Sequence, residues 1–117
     1  MHAETRNAHG KNYAFVPLSG CLDEKTLSEF TEKMEPLLTG NHCYLVFDLS
    51  ELDLMNSHAV GYLETLHHKL AAVEKKMAFV NANEEILEIL EFIGLAKLVK
   101  TFEAEEKFLE AMGNEEV

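Results

Sequence analysis

Uninterrupted apolar runs predict three strands. Residues 43–47 (CYLVF) and 77–80 (MAFV) are apolar at every position, which is typical of strands buried on both faces in the middle of a parallel sheet. A third apolar run, residues 13–18, is closed by Ser19-Gly20 and predicts a strand followed by a turn. Residues 97–102 predict a further short strand near the end of the chain.

Between these strands, apolar residues recur every three or four positions, as they do on one face of a helix. The pattern predicts four helices, which begin at the capping-box pattern Thr26-Leu27-Ser28-Glu29, at Ser57, at the cap Asn83 and at Ala104. Gly94 ends the third of them, and the fourth extends to Met112.

Strand and helix thus alternate four times, which predicts an α/β fold: a four-stranded, mainly parallel sheet with about four helices and right-handed crossovers. His2 to Asn7 predict an additional edge strand, antiparallel to the first through a turn at Gly10. We expect one domain over residues 1–117, since its length suits a single core. Its core spans about residues 12–112, residues 1–10 form the edge strand or are flexible, and residues 113–117 form a flexible tail.

Three polar segments follow the predicted strands: residues 19–24, 50–57 and 81–83. Loops after parallel strands emerge at the carboxyl edge of the sheet, where ligands and partners usually bind. This edge is therefore the predicted binding surface. Its candidate partner-binding residues are Ser19, Asp23, Asp53, Asn56, Ser57 and His58.

Ser57 is the most informative of these residues because it lies at the predicted start of a helix. The amides there lack partners and the helix dipole is positive, so a phosphate on the Ser57 hydroxyl would be tolerated. A simpler interpretation is open as well. Asn56 and Ser57 are both good N-cap residues, and Ser57 would then only cap its helix.

The charge restricts the kind of partner. A net charge of −11 makes nucleic acids and anionic membranes poor partners, and favours a basic patch on another protein.

Cys21 and Cys43 lack CxxC spacing and are interpreted as free thiols in a reducing compartment. Residues 1–11 lack a signal-peptide core, and no apolar run approaches the ~20 residues of a membrane span, so we expect a cytoplasmic protein.

No motif predicts catalysis, a metal site or a cofactor. Ser57 and His58 are helix neighbours that point about 100° apart, so they do not form a nucleophile and base. His67 and His68 are likewise adjacent rather than four residues apart, as two metal ligands on one helix would be. Phosphate-binding glycine loops and the hydrolase G-x-S-x-G pattern are missing from the sequence.

Several short motifs together match a known family. The segment LSGCLD (18–23) matches an early L-x-G-x-L-D turn. The segments LVFDLS (45–50) and MNSHAVG (55–61) match a D-L-S…M-D-S-S/T-G-L-G signature, and GLAK (94–97) with FEAEE (102–106) matches a closing G-L-x-K…F-x-x-x-E pattern. In order and spacing, the chain resembles the anti-sigma factor antagonist branch of the STAS domain family over residues 12–112.

The resemblance implies a small mixed sheet with four helices and a regulatory role. The partner would be an anti-sigma factor with serine kinase activity, whose capture frees a sigma factor and whose phosphorylation of Ser57 ends the interaction. Asn56 stands where the family has aspartate, and His58 and Ala59 replace the following Ser/Thr and Gly. These departures favour a second hypothesis, an adaptor of the same fold that is never phosphorylated and works in a signalling or transport assembly. A third is a small-molecule or nucleotide-binding module that uses the same edge.

Overall fold

A computed structural model describes residues 3–117 of the chain. The strands are β1 (Glu4–Ala8), β2 (Lys11–Leu22), β3 (Tyr44–Met55), β4 (Lys76–Val80) and β5 (Lys100–Phe102). The helices are α1 (Glu24–Leu38), α2 (Ser57–Ala72), α3 (Glu84–Phe92), α4 (Leu95–Leu98) and α5 (Glu105–Gly113). Together they confirm the predicted α/β class.

The strands form one sheet in the order β1-β2-β3-β4-β5. β1 pairs antiparallel with β2, and the other neighbours are parallel. The predicted N-terminal edge strand is therefore present at Glu4–Ala8, while His2 lies outside the described residues. Because sequential strands lie side by side and parallel, the helices between them must cross over the sheet.

Each face of the sheet carries its own apolar cluster. One face packs against α1 to α4, and its buried residues include Phe47 and Phe79 on the strands with Phe30 on α1. The other packs against α5, where Phe108 contacts Tyr13 and Tyr44 edge-to-face at ring distances of 5.3 and 5.5 Å. This double coverage explains the uninterrupted apolar runs of the central strands.

The prediction of loops at residues 19–24 and 50–57 was wrong over most of both segments. β2 continues to Leu22 and β3 to Met55, and the two strands stay paired along this extension. Two register shifts interrupt the pairing, and Asp53 is the additional β3 residue at the second one. These bulges break the two-residue alternation of buried and exposed positions, which is the signal that identifies a strand in a sequence.

Two helix boundaries also differ from the prediction. α1 begins after its N-cap Asp23, and Thr26 is the last residue (N3) of the capping box rather than its first. The strand predicted from residue 97 is shorter, because α4 forms a single helical turn before β5 begins at Lys100. Leu95 and Val99 are both buried, and their four-residue spacing suits that turn. α4 is thus a fifth helix beyond the four predicted.

Candidate functional site

α1 and α2 begin side by side at the end of the β2–β3 extension. Leu22 and Met55 form the last residue pair of the two strands. The amide of Asn56 then donates to the carbonyl oxygen of Leu22 at 3.1 Å. Asp23 and Asn56 follow these paired residues, so four of the six candidate residues, Asp23, Asn56, Ser57 and His58, lie at one corner.

Asp23 and Asn56 each cap a helix. Asp23 Oδ1 accepts from the amides of Lys25 and Thr26 at 3.0 and 3.2 Å. Asn56 Oδ1 accepts from the amide of Ala59 at 3.0 Å. Both side chains therefore stabilise helix starts, and the cap of α2 is Asn56 rather than Ser57.

Ser57 is the first residue of α2 and its side chain is exposed. In the first turn of a helix the amides have no intrahelical acceptor, and Asn56 serves only the amide of Ala59. The first turn of α2 contains no acidic residue. A group with negative charge on the Ser57 hydroxyl would therefore meet unpaired amides and the positive end of the helix dipole.

His58 connects the two helix starts. Its Nδ1 lies 3.1 Å from Glu24 Oε1 on α1, and both side chains are largely exposed. Glu24 was not among the predicted site residues, although its place directly after Asp23 in the same polar segment could have indicated it. The pair puts one carboxylate and one imidazole beside the Ser57 corner.

Ser19 and Asp53 lie further back on the strand extension. Ser19 pairs with Glu51 and precedes Leu22 by three residues, which corresponds to roughly 10 Å along a strand. Asp53 lies at the second register shift, and both side chains are exposed. They belong to a surface leading to the corner rather than to the corner itself.

The same extension exposes an apolar residue that the sequence analysis missed. Leu54 is 52% exposed, and its strand partner Cys21 is an exposed free thiol. Leu54 follows the acidic residues Glu51 and Asp53 on β3, and its exposed side chain offers apolar contact area to a partner. We call the exposed side chains Ser19, Cys21, Glu51, Asp53 and Leu54, together with Ser57, His58 and Glu24, the Ser57 surface.

The third predicted polar segment, residues 81–83, stabilises the fold through hydrogen bonds of Asn81 and Asn83. Asn81 Nδ2 donates to Asp48 Oδ1 at 3.0 Å, which ties the end of β4 to β3. Asn83 caps α3 by accepting from the amide of Ile86 at 2.9 Å, and its Nδ2 donates to the carbonyl of Leu52 at 3.3 Å. Within residues 3–117, no three His, Cys, Asp or Glu side chains are grouped as metal ligands would be.

A model of the STAS domain matches residues 3–108, so the chain belongs to the STAS domain family. No curated protein sequence matches the chain significantly. Over the part of the chain that the structure describes, no helix is long and apolar enough to cross a membrane.

Solved structures that share the fold include two forms of an anti-sigma factor antagonist and a transporter domain. The anti-sigma factor antagonist SpoIIAA in its unphosphorylated form superposes with a TM-score of 0.74 at 19% identity, covering 95% of this chain and 96% of that one. The phosphorylated form of SpoIIAA, described as a Bacillus cell fate determinant, gives 0.66 at 19% identity, with 91% and 96% covered. The STAS domain of a SulP transporter from Vibrio cholerae gives 0.70 at 21% identity, with 88% and 82% covered.

Proposed function

We propose that this STAS domain is a regulatory protein like the anti-sigma factor antagonists. Through the Ser57 surface it binds an anti-sigma factor with serine kinase activity, which releases a sigma factor, and phosphorylation of Ser57 switches it off. The observation that carries the proposal is the exposed Ser57 hydroxyl at the first position of α2, beside a cap provided by Asn56. STAS domains are in general regulatory domains rather than enzymes.

A phosphate on Ser57 would change binding without unfolding the helix. It adds a charge of about −1.5 to −2, which the start of a helix stabilises. On the partner's side the same charge repels carboxylates and occupies contact area. Since the chain already carries a net charge of −11, the partner surface that best fits the unmodified protein is basic. Release then depends on steric exclusion and on repulsion from any partner carboxylate that directly faces Ser57.

The departures from the family signature change the local charge but preserve the geometry. Asn56 caps α2 as an aspartate would, yet it places no carboxylate beside the hydroxyl that receives the phosphate. His58 faces Glu24 at 3.1 Å and is exposed, so it is accessible to a kinase. We expect these two residues to set which kinase recognises Ser57.

The first test is direct. The intact mass of the protein isolated from its own cells, with and without phosphatase treatment, will show one phosphate that fragmentation assigns to Ser57. A protein that carries no phosphate under any growth condition would contradict the switch.

The second test measures binding to an anti-sigma factor with serine kinase activity from the same organism. Ser57→Asp is expected to abolish binding, whereas Ser57→Ala preserves it. Ser28→Asp is the matched control, because Ser28 is exposed in the second turn of α1 and receives the same charge. Equal binding by Ser57→Asp and Ser57→Ala would contradict release by phosphorylation.

A second candidate is the unphosphorylated adaptor. The shared fold with a SulP transporter STAS domain favours it, since that domain is part of a larger protein. The adaptor predicts a stable complex that Ser57→Asp does not dissociate and an intact mass without phosphate. Both measurements above therefore separate the two candidates.

A further inference from the structure

Phe92, the last residue of α3, is 92% exposed, more than any other large apolar residue in the range 3–117. α3 faces the core with Ile86 and Leu90, and both are fully buried. Phe92 lies two residues after Leu90, which turns it about 200° around the helix axis and away from the core. The fold does not use this ring. Since aromatic side chains are enriched at protein interfaces, Phe92 indicates a contact with another molecule.

Phe92 shares one face of α3 with Glu85, Glu88 and Ile89. The residues lie seven, four and three positions before it, which is the spacing of neighbours on a helix surface. Neither glutamate forms an ion pair with another residue that the structure describes. We call these four residues the acidic ridge. An aromatic ring flanked by unpaired carboxylates fits an apolar pocket that carries positive charge.

The same chain contains a pocket of that kind. A cavity of about 490 Å³ lies where α2 ends, where β4 and β5 begin, and beside α4. Met77 and Leu98 supply apolar lining, and Glu74 is the one acidic residue of the lining that is described. The lining also includes four lysines, Lys75, Lys76, Lys97 and Lys100. We call it the lysine cavity.

Two of the four lysines have no partner in the chain. Lys75 and Lys76 donate hydrogen bonds to backbone oxygens. Lys97 and Lys100 are exposed, and neither forms an ion pair with any residue from 3 to 117. Holding four ammonium groups near one another costs electrostatic repulsion. Carboxylates from outside the chain would relieve it.

The acidic ridge and the lysine cavity are neighbours on one side of the molecule. α3 ends at Phe92, and α4, which carries Lys97 and Leu98, begins three residues later and packs against α3. Phe92 is nevertheless exposed, so it does not occupy the cavity of its own chain. A two-fold axis between two adjacent patches of opposite charge sets each ridge against the cavity of the other copy.

We propose that this chain forms a two-fold symmetric dimer in which Phe92 of each copy enters the lysine cavity of the other. Leu98 contacts the ring, and the carboxylates of the acidic ridge face Lys97 and Lys100. A buried aromatic anchor surrounded by more exposed polar contacts is the usual arrangement at the centre of an interface. The ion pairs fix the orientation of the two copies.

The dimer leaves the Ser57 surface open. Ser57 begins α2, and the lysine cavity lies at the other end of this 16-residue helix, roughly 24 Å away. Each copy can therefore present its own Ser57 surface to a partner, and the dimer does not depend on the function of Ser57. Since two chains with a net charge of −11 repel each other, we expect the dimer to be weak and reversible.

Sedimentation velocity of the full chain between roughly 5 and 500 µM tests the dimer. The average mass is expected to rise from the 13.2 kDa of one chain towards twice that value. A mass that stays at one chain over the whole range would overturn the proposal. Growth beyond two chains would overturn the two-fold arrangement, because a reciprocal contact leaves no ridge or cavity open.

Charge reversal tests whether the ridge faces the cavity. Glu85→Lys with Glu88→Lys and, separately, Lys97→Glu with Lys100→Glu are each expected to weaken the dimer by roughly tenfold or more, since like charges then face each other. An equimolar mixture of the two double variants should regain the natural affinity, because both contacts of the mixed dimer again join opposite charges. Double variants that dimerise like the natural protein, or a mixture that stays monomeric, would refute the contact.

Phe92→Gln tests the apolar anchor. It is expected to weaken the dimer by roughly tenfold or more, because the ring is buried only in the dimer. Leu54→Gln is the matched control, since Leu54 is 52% exposed on the β3 extension, away from both surfaces, and its loss should leave the dimer unchanged. Equal losses in both variants would indicate non-specific apolar association and contradict the proposal.

Discussion

The side-chain oxygen of Asn56 accepts a hydrogen bond from the amide of Ala59 at 3.0 Å. Asn56 therefore caps α2, and the hydroxyl of the next residue, Ser57, does not take part in the cap. Had Ser57 been the cap, its oxygen would have been held against the backbone. Because Asn56 takes that role, Ser57 lies one residue further on with its side chain exposed. The corner therefore combines a stable helix start with an accessible hydroxyl.

Removing the Asn56 cap should cost more stability than removing the Ser57 hydroxyl. Asn56→Ala is expected to lower the free energy of unfolding by about 1 kcal/mol, since it leaves an amide in the first turn without its acceptor. Ser57→Ala should change it by less than about 0.5 kcal/mol, as exposed substitutions usually do. Asn56→Asp should leave the free energy of unfolding unchanged, because aspartate caps helices as well as asparagine does. Urea unfolding measures all three variants, and an equal loss in Asn56→Ala and Ser57→Ala would show that Ser57 shares the cap.

The alternation of strands and helices and the apolar faces of the helices could be predicted from the sequence because the core residues follow simple periods. Phe47 and Phe79 lie in uninterrupted apolar runs, and Leu63 and Leu66 repeat at helical spacing. The extension of β2 and β3 could not be predicted in this way. Asp53 shifts the register, so that the buried residues Leu52 and Met55 are three positions apart instead of two or four.

The position of the candidate site could be predicted from the sequence, but the roles of its individual residues could not. The carboxyl edge of a parallel sheet follows from topology, and so all six candidate residues were expected together there, although Ser19 and Asp53 lie further back on the strands. Distinguishing Asn56 from Ser57 as the cap required backbone geometry, because both residue types cap helices well. Leu54 was missed because an isolated leucine in a polar segment has no period to place it on the exposed face.

Tyr13 should make stability depend on pH in the alkaline range. Burial, and then its hydrogen bond to Glu105 at 2.6 Å, raises the pKa of Tyr13 from 10.0 to about 12. Because the raised pKa favours the protonated phenol in the folded state, this contribution is complete below pH 10 and is lost as the pH rises towards 12. Tyr13→Phe should make the free energy of unfolding fall less steeply over this interval.

Tyr62→Phe separates the effect of burial on the pH dependence from the effect of the contact with Glu105. Burial also raises the pKa of Tyr62, but Tyr62 has no contact with Glu105 in the structure of residues 3–117. Glu105 also accepts from Arg6 Nη1 at 2.5 and 2.7 Å, so Glu105→Gln should weaken both contacts at once. Identical pH profiles for Tyr13→Phe and the natural protein would contradict the assignment.

Lys75 should stabilise the fold more than an ordinary surface lysine. Its ammonium group donates to two backbone carbonyls at the end of α1, and hydrogen bonds from a charged donor are the stronger kind. Lys75→Met is expected to lower the free energy of unfolding by about 1–2 kcal/mol. Lys69→Met is the control: Lys69 lies 3.9 Å from Glu35 in an exposed pair, and its loss should cost less than about 0.5 kcal/mol.

The Lys75→Met substitution should also change the pKa of His42. Burial lowers the pKa of His42, and the nearby positive charge of Lys75 lowers it further. Lys75→Met should therefore raise the His42 pKa towards its usual value, as measured by NMR titration of the imidazole. Since burial is unchanged, the recovery should be incomplete. An unchanged His42 pKa would show that the Lys75 charge does not reach this imidazole.

Leu54 should contribute to partner binding without contributing to stability. It is 52% exposed on the β3 extension, so Leu54→Gln removes little buried apolar area and should change the free energy of unfolding by less than about 0.5 kcal/mol. If the partner covers the Ser57 surface, the same change should weaken binding of the kinase-type anti-sigma factor by roughly tenfold, because an exposed apolar side chain becomes buried in the complex. Val73→Gln is the matched control, since Val73 is 50% exposed at the other end of α2. Equal binding by the two variants would place the partner elsewhere on the molecule.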